Sequence, residues 1–123
     1  MKFYRCEKCG RIIYEMQEVG HAPVCCGEEM KLLDPKAKDG AVEKHVPVVT
    51  VEGSNVKVVV GSVEHPMLDN HYIMWIAVET TSGAQIAYLK PGEKPAANFV
   101  LPEGQEVKKV YGYCNLHGLW EAE

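Results

Sequence analysis

Short apolar runs that alternate with turn-forming residues dominate the chain from residue 46 onward. β-branched and aromatic residues concentrate in the runs 46–51, 56–60, 72–80, 84–89, 96–100 and 107–113. Segments rich in Gly, Asn, Ser and Pro separate several of them, a pattern typical of consecutive hairpins. No window places apolar residues at helical spacing over three turns. The chain is therefore predicted to be mainly β, with about seven short strands in an immunoglobulin-like sandwich.

The first 33 residues follow a different pattern, in which Cys and Gly punctuate short polar stretches. A segment of this length is too short to bury a stable core, so we expect it to fold around a metal. Residues 31–40 lack periodicity and contain Asp-Pro and Asp-Gly, which favours a linker. We predict two domains, residues 1–36 and 37–123.

Length and composition limit the classes of function. The 123 residues are 46% hydrophobic, enough for one modest core and a metal-held appendage, which excludes a large multidomain enzyme. The formal net charge of -4 argues against a nucleic-acid partner. An anionic substrate would have to be attracted by a local positive patch, because the protein as a whole repels it.

The distribution of apolar residues and cysteines predicts a cytoplasmic protein. No apolar stretch is long enough to cross a bilayer, so we expect no membrane association. Thiols stay reduced in the cytoplasm, and the five cysteines are an odd number. Metal ligation is therefore favoured over a disulfide framework.

Four cysteines in the first 26 residues suit a closed tetrahedral metal site: Cys6, Cys9, Cys25 and Cys26. In Cys6-x-x-Cys9, the turn between the two residues directs backbone N–H groups at sulfur. The adjacent pair Cys25-Cys26 requires a sharp backbone bend if both residues are ligands. Four thiolates suit both zinc and iron, so the spacing does not choose the metal.

The fifth cysteine belongs to a second group of possible ligands: His45, His65, His71, Cys114 and His117. All lie in loops or at predicted strand ends, and consecutive hairpins bring such loops to a common end of a sandwich. For each histidine alone a structural role is the simpler explanation, but the whole set beside a lone thiol favours a site. One thiolate and four imidazoles suit iron, copper or zinc. Five ligands leave an octahedral metal one open position.

Six motifs spread over the whole chain occur in the order known from one protein family: Cys6-x-x-Cys9, Cys25-Cys26, Glu43-Lys44-His45-Val46-Pro47, His65-Pro66-Met67, His71-Tyr72-Ile73 and Cys114-Asn115-Leu116-His117-Gly118. Together they resemble desulfoferrodoxin, the two-iron form of superoxide reductase. The resemblance implies a desulforedoxin-like first domain that holds iron by four cysteines. It also implies an immunoglobulin-like second domain that holds a square-pyramidal iron.

The same resemblance implies roles for the residues of the second site. The imidazoles become equatorial ligands and the thiolate the axial ligand: His45, His65, His71, His117 and Cys114. Glu43 and Lys44 become catalytic residues of the active-site loop. The family reduces superoxide by one electron to hydrogen peroxide without releasing dioxygen. An electron donor such as rubredoxin and a homodimer are implied as well.

Two hypotheses concern the residues before the first histidine. The ammonium of Lys44 would attract superoxide to the open position despite the net negative charge of the protein. Glu43 would move in to occupy that position of the ferric product and help to expel peroxide. For Asn115 and Leu116, we consider both tuning of the sulfur by backbone N–H donors and simple turn geometry.

Two other functions would use fewer of these residues. A pure electron carrier would need only the four cysteines of the first site, with the sandwich as a docking module. A structural zinc protein that binds partners would leave the histidines and Cys114 without a purpose. Superoxide reduction is the interpretation that uses both groups.

Overall fold

The computed structural model describes residues 1–37 and 42–122. The chain divides into two compact units, Met1–Asp34 and Pro35–Glu123. The domain boundary predicted between residues 36 and 37 stays a prediction. The linker was predicted to start too early, because Lys31–Leu32 forms a strand. The predicted turn at residues 39 and 40 lies outside the described residues.

The first unit consists of short antiparallel strands. β1 (Phe3–Arg5) pairs with β2 (Ile12–Tyr14) and β5 (Lys31–Leu32), while β3 (Val24–Cys25) pairs with β4 (Glu28–Glu29). Few of its side chains are buried: Tyr4, Cys6 and Met30 form one cluster, and Phe3 is buried as well. A core of this size contributes little stability, which agrees with a unit that folds around a metal.

The described part of the second unit contains one helical turn and two antiparallel sheets. The turn is α1 (Val42–His45), and the strands are β6 (Pro47–Glu52), β7 (Asn55–Val60), β8 (Ile73–Thr80), β9 (Ala84–Tyr88), β10 (Ala96–Val100), β11 (Val107–Cys114) and β12 (Gly118–Ala122). The sheets have the orders β10-β7-β6 and β12-β11-β8-β9. The predicted mainly β class, with a β-sandwich as its second part, is confirmed.

Alternating side chains of the two sheets build the core of the sandwich. In β7, Val56, Val58 and Val60 are buried, as the period of a strand requires. They pack in one cluster with residues of the facing sheet, among them Ile76 and Val110. Because this core stabilises the sandwich, the loops at the ends of the strands can hold functional side chains.

The structure adds elements that the sequence pattern did not indicate. β12 pairs with β11 from Cys114↔Gly118 to Val110↔Ala122 and is one of the two edge strands of its sheet. α1 is too short to give a periodic signal. Among the described residues, no helix has the length and apolar character needed to cross a membrane.

Candidate metal centres

The four cysteines of the first unit bring their sulfur atoms together. All four atoms lie within 4.8 Å of one another. The sulfur of Cys25 is 3.7 Å from that of Cys9 and 4.0 Å from that of Cys26. The N–H of Cys9 donates to the sulfur of Cys6 at 3.5 Å, the contact that the Cys-x-x-Cys turn predicts. The geometry suits one tetrahedral ion.

The backbone bend expected at the adjacent cysteines is made by two residues in the left-handed conformation. Cys26 has a φ of 54° and the following Gly27 has 78°. A positive φ is costly for most residues but not for glycine, so the cost of this bend falls on Cys26 and not on Gly27. The bend allows two neighbouring residues to direct their sulfurs to one point.

Close sulfur atoms in this group compete for protons. A hydrogen bond from the backbone of Cys9 lowers the pKa of Cys6 to about 6. Contacts with Cys9 and Cys6 raise the pKa of Cys25, and they raise the pKa of Cys26 to about 12. Four thiolates therefore require a cation at neutral pH, and a metal ion supplies that charge.

In the second unit, the helical turn α1 and two short loops place three of the histidines. His45 ends α1 and is buried. His65 follows β7 after a short loop, and its N–H donates to the carbonyl of Val60 at 2.8 Å. His71 closes a turn with Leu68, in which the N–H groups donate to each other's carbonyls at 2.9 and 3.2 Å. Each ligand thus lies next to the end of an element, outside the regular ladders.

The hairpin between β11 and β12 places the other two ligands. The pairing of β11 with β8 shifts register between Tyr113 and Cys114, and such a bulge re-aims side chains. Cys114 is buried in the core of the sandwich. Gly118, with a φ of 85°, closes a three-residue hairpin loop. His117 is exposed in that loop, and its N–H donates to the Cys114 sulfur at 3.4 Å.

The four imidazoles form a closed ring of edge-to-face contacts. The ring centroid of His65 lies 4.8 Å from that of His45 and 4.7 Å from that of His71. The ring centroid of His117 lies 5.1 Å from that of His71 and 4.9 Å from that of His45. The planes of neighbouring rings meet at 70° to 88°. Together with the sulfur of Cys114, one ligand atom from each residue falls within 4.8 Å of the others. The four similar centroid separations suit four imidazoles that would hold one ion.

The ring nitrogens have the chemistry that a metal requires. Nε2 of His65 and of His71 are buried and have no hydrogen-bond partner. Nδ1 of His65 lies 2.7 Å from the carbonyl of Pro66, so it carries the proton and leaves a lone pair on Nε2. Nε2 of His45 is 3.1 Å from Nδ1 of His117. Because buried polar atoms rarely lack partners, this donor set fits a metal ion.

Burial favours uncharged ligands in this group. Desolvation lowers the pKa of His65 to about 4, helped by the charges of the other histidines. Desolvation also lowers the pKa of His71, and the charges of His117 and Lys44 lower it further. The imidazoles of His65 and His71 are therefore neutral near pH 7 and able to bind a cation. Burial raises the pKa of Cys114, whereas N–H groups of His117 and Leu116 oppose that rise.

Asn115 connects two segments of the second unit by hydrogen bonds. Its backbone N–H donates to the carbonyl of Tyr72 at 3.2 Å and not to sulfur. Its side-chain Oδ1 accepts from the N–H of Tyr72 at 3.0 Å, and Nδ2 donates to the carbonyl of Asn70 at 3.1 Å. Asn115 therefore ties the turn that carries His71 to the hairpin that carries the thiol. Leu116 does supply an N–H that favours the thiolate of Cys114.

The loop after β7 holds the helical turn α1 in place. The carbonyl of Glu43 accepts from the N–H of Val63 at 2.8 Å and from Oγ of Ser62 at 3.2 Å. A Cβ on Gly61 would lie 2.7 Å from the same carbonyl. The backbone of Glu43 is therefore fixed, while its side chain is exposed. Lys44 is also exposed.

The supporting residues were missed from the sequence, whereas the candidate ligands that the structure brings together were all among the predicted ones. An amide side chain inside the motif Cys114-Asn115-Leu116-His117 could have indicated that Asn115 bridges two segments. Nothing in the sequence distinguishes Gly61 and Ser62 from other loop residues, because their partner lies 18 or 19 positions away.

Comparisons with protein families and curated relatives cover both groups of ligands. A family model described as Desulfoferrodoxin matches residues 37–123, and one described as Desulfoferrodoxin, N-terminal domain, matches residues 1–33. A desulfoferrodoxin from Nitratidesulfovibrio vulgaris is 43% identical over 122 residues, which cover 99% of this chain and 95% of that protein.

Two solved structures of superoxide reductases are similar to this chain. A superoxide reductase from Treponema pallidum is 36% identical with a TM-score of 0.85, over 99% of this chain and 96% of its own. A superoxide reductase (1Fe-SOR) from Giardia intestinalis is 34% identical with a TM-score of 0.56, over 65% of this chain and 95% of its own. The similarity to the first structure therefore spans both candidate centres.

Proposed function

The chain belongs to the desulfoferrodoxin family, and on that premise we propose that it is a superoxide reductase with two iron centres. Superoxide takes up one electron and two protons and leaves as hydrogen peroxide, without release of dioxygen. The observation that carries the proposal is the closed ring of four histidines beside the buried thiol of Cys114.

The arrangement of ligands supports this reaction over simple electron transfer. Bound ferrous iron would supply the single electron, and five protein ligands leave it one position for a small anion. The cysteine lies in the core, whereas His117 is exposed and His71 is half-buried. Access is therefore on the histidine side. A pure electron carrier would not need an accessible coordination position, and a structural zinc site would not leave one open.

Lys44 supplies the positive charge that attracts the substrate. The protein carries a net charge of -4, which repels an anion at long range. Lys44 is exposed in α1, directly before His45, and its ammonium acts electrostatically on His71. The entrance is therefore positive although the protein is acidic.

Glu43 acts after the encounter in this proposal. Its side chain is exposed, and its backbone is fixed by Ser62 and Val63. A move toward the centre therefore requires either rotation of the side chain alone or loss of these two hydrogen bonds. We assign to Glu43 the displacement of the product and the shielding of the centre between turnovers.

The division of labour between Lys44 and Glu43 is testable by the rate of the superoxide encounter. Lys44→Ala is expected to lower the second-order rate constant about tenfold at low ionic strength, because one steering charge is lost. The loss should shrink as salt rises and the Debye length shortens. Pulse radiolysis over a series of salt concentrations measures both effects.

Two control variants make this experiment decisive. Glu43→Ala changes the neighbouring exposed residue and should leave the encounter rate nearly unchanged. Lys57→Ala, near the start of β7, makes the same change in net charge and should have little effect. A loss in Lys44→Ala that does not depend on salt, or a large loss in Glu43→Ala, would refute these assignments.

The remaining parts of the proposal concern the partners and the first centre. We assign the four-cysteine centre to residues 1–36 and the reductase centre to residues 37–123. A small electron donor such as rubredoxin restores the ferrous state, and the protein acts in the cytoplasm as a homodimer. The reduced thiols support this location, because all five cysteines belong to ligand groups and none is in a disulfide.

A further inference from the structure

Trp120 contacts two of the four histidines, and the proposed function gives it no role so far. Its indole stacks on the imidazole of His45, with ring centroids 4.6 Å apart and planes 19° apart. Its Nε1–H donates to the backbone carbonyl of His117 at 3.2 Å. His45 and His117 are 72 positions apart in the chain, so a single side chain joins two distant ligands.

The indole itself is held firmly. Trp120 is 4% exposed and lies in β12, where Gly112 is its partner across the ladder. Lys36 forms a parallel bridge with Trp120, its N–H donates to the carbonyl of Leu119 at 2.9 Å, and its carbonyl accepts from the N–H of Glu121 at 2.8 Å. A ring packed to this degree keeps one orientation.

The side chain of Lys36 reinforces the same contacts. Its Nζ lies 5.6 Å from the centroid of the Trp120 ring, within the range of a cation–π interaction. Nζ is also 3.5 Å from the carbonyl of His117, which already accepts from the indole. Lys36 and Trp120 thus approach the His117 backbone together.

We propose that Trp120 is a positioning residue of the histidine centre, which fixes the plane of His45 and the backbone of His117. These two contacts keep Nε2 of His45 and Nδ1 of His117 converging on the same point, 3.1 Å apart. Groups that orient metal ligands in this way typically raise metal affinity about 10–100-fold. The inference rests on the metal centre of the proposed function and is independent of superoxide.

Iron retention in the full chain tests the role of Trp120. The iron-loaded protein is titrated with a chelator while the thiolate-to-iron band of Cys114 is followed in the visible spectrum. Trp120→Leu removes both contacts and is expected to lose iron from this centre at about 10–100-fold lower chelator concentration. Trp120→Phe keeps a ring for His45 but not the N–H, and it should restore part of the retention.

Trp75→Phe is the matched control. Trp75 is likewise buried and stacks on Tyr113, with centroids 5.5 Å apart. The Trp75→Phe variant should leave iron retention and the electron paramagnetic resonance signal of the ferric centre unchanged. Both Trp120 variants should alter that signal. The band of the four-cysteine centre should be constant throughout.

Two results would overturn the inference. One is wild-type retention with an unchanged resonance signal in either Trp120 variant that folds. The other is an equal loss of iron in Trp75→Phe, which would show a general effect of stability. If Trp120→Leu does not fold, Trp120→Phe decides alone through its resonance signal. Neither readout uses superoxide, so a failure here is distinct from a failure of the proposed reaction.

Discussion

Replacing Cys114 by alanine is expected to abolish superoxide reduction, with a loss of more than about 100-fold. Changes in groups that only support ligands already cost about 10–100-fold, and Cys114 is itself the predicted ligand. The variant should also lose the thiolate-to-iron band of the second centre, because the remaining imidazoles carry no soft anionic donor. Stopped-flow mixing with superoxide and the visible spectrum measure the two effects.

Alanine is the better test than serine at this position. Cys114 is 0% exposed and lies in the apolar core cluster, where a serine hydroxyl would be buried. Such a group costs about 1–3 kcal/mol if it finds no partner, which would mix stability with chemistry. Cys9→Ser is the control for the other centre, and it should remove only the band of the four-cysteine group. A second-centre band that survives in Cys114→Ala would contradict the ligand assignment.

Gly61→Ala is expected to disturb the second centre without changing any ligand. The added Cβ would lie 2.7 Å from the carbonyl oxygen of Glu43 and 3.0 Å from backbone atoms of Lys44 and Val46. These neighbours are backbone atoms that surround His45 in sequence, so relief of the clash must move α1. We expect a loss of about 1–3 kcal/mol in the free energy of unfolding, together with weaker iron binding at this centre.

Gly83→Ala provides the control for a general effect of glycine replacement. The nearest atom to its Cβ is Oγ1 of Thr80 at 3.9 Å, which is ordinary contact. Thermal unfolding and chelator titration of both variants make the comparison. If Gly61→Ala retains iron as well as Gly83→Ala does, then the packing of the loop against Glu43 does not position His45.

The elements predicted best from the sequence are those with a local signal. Residues 96–100 form β10 with the predicted bounds, and the valines of β7 alternate as a half-buried strand requires. The cysteine spacing in the first unit likewise predicted a compact sulfur group and a sharp bend at Cys26. In each case the residues that decide the structure are neighbours in the chain.

Features that depend on pairing between distant strands could not be predicted. Strict alternation would place Ile73 and Ile76 on opposite faces of β8, yet both belong to one core cluster. The shift of register near Cys114 accounts for the difference, and no local pattern encodes it. β12 was missed because its short run begins with Gly118 and ends with Glu121 and Ala122, which have low strand propensity.

The same limit applies to the site. The ligands were identifiable because Cys and His are chemically distinctive at any position. Their supports were not, because Asn115, Gly61 and Trp120 act through partners that are distant in sequence. Ordinary residue types acquire such roles only through tertiary contacts.

The stoichiometry of superoxide consumption tests the central proposal most directly. The iron-loaded protein, kept reduced by an excess of electron donor, is mixed anaerobically with a known amount of superoxide while peroxide and dioxygen are measured. Reduction predicts one molecule of hydrogen peroxide for each superoxide consumed, and no release of dioxygen. One peroxide and one dioxygen for every two superoxide anions would indicate dismutation, and either that result or no reaction would contradict the proposed function.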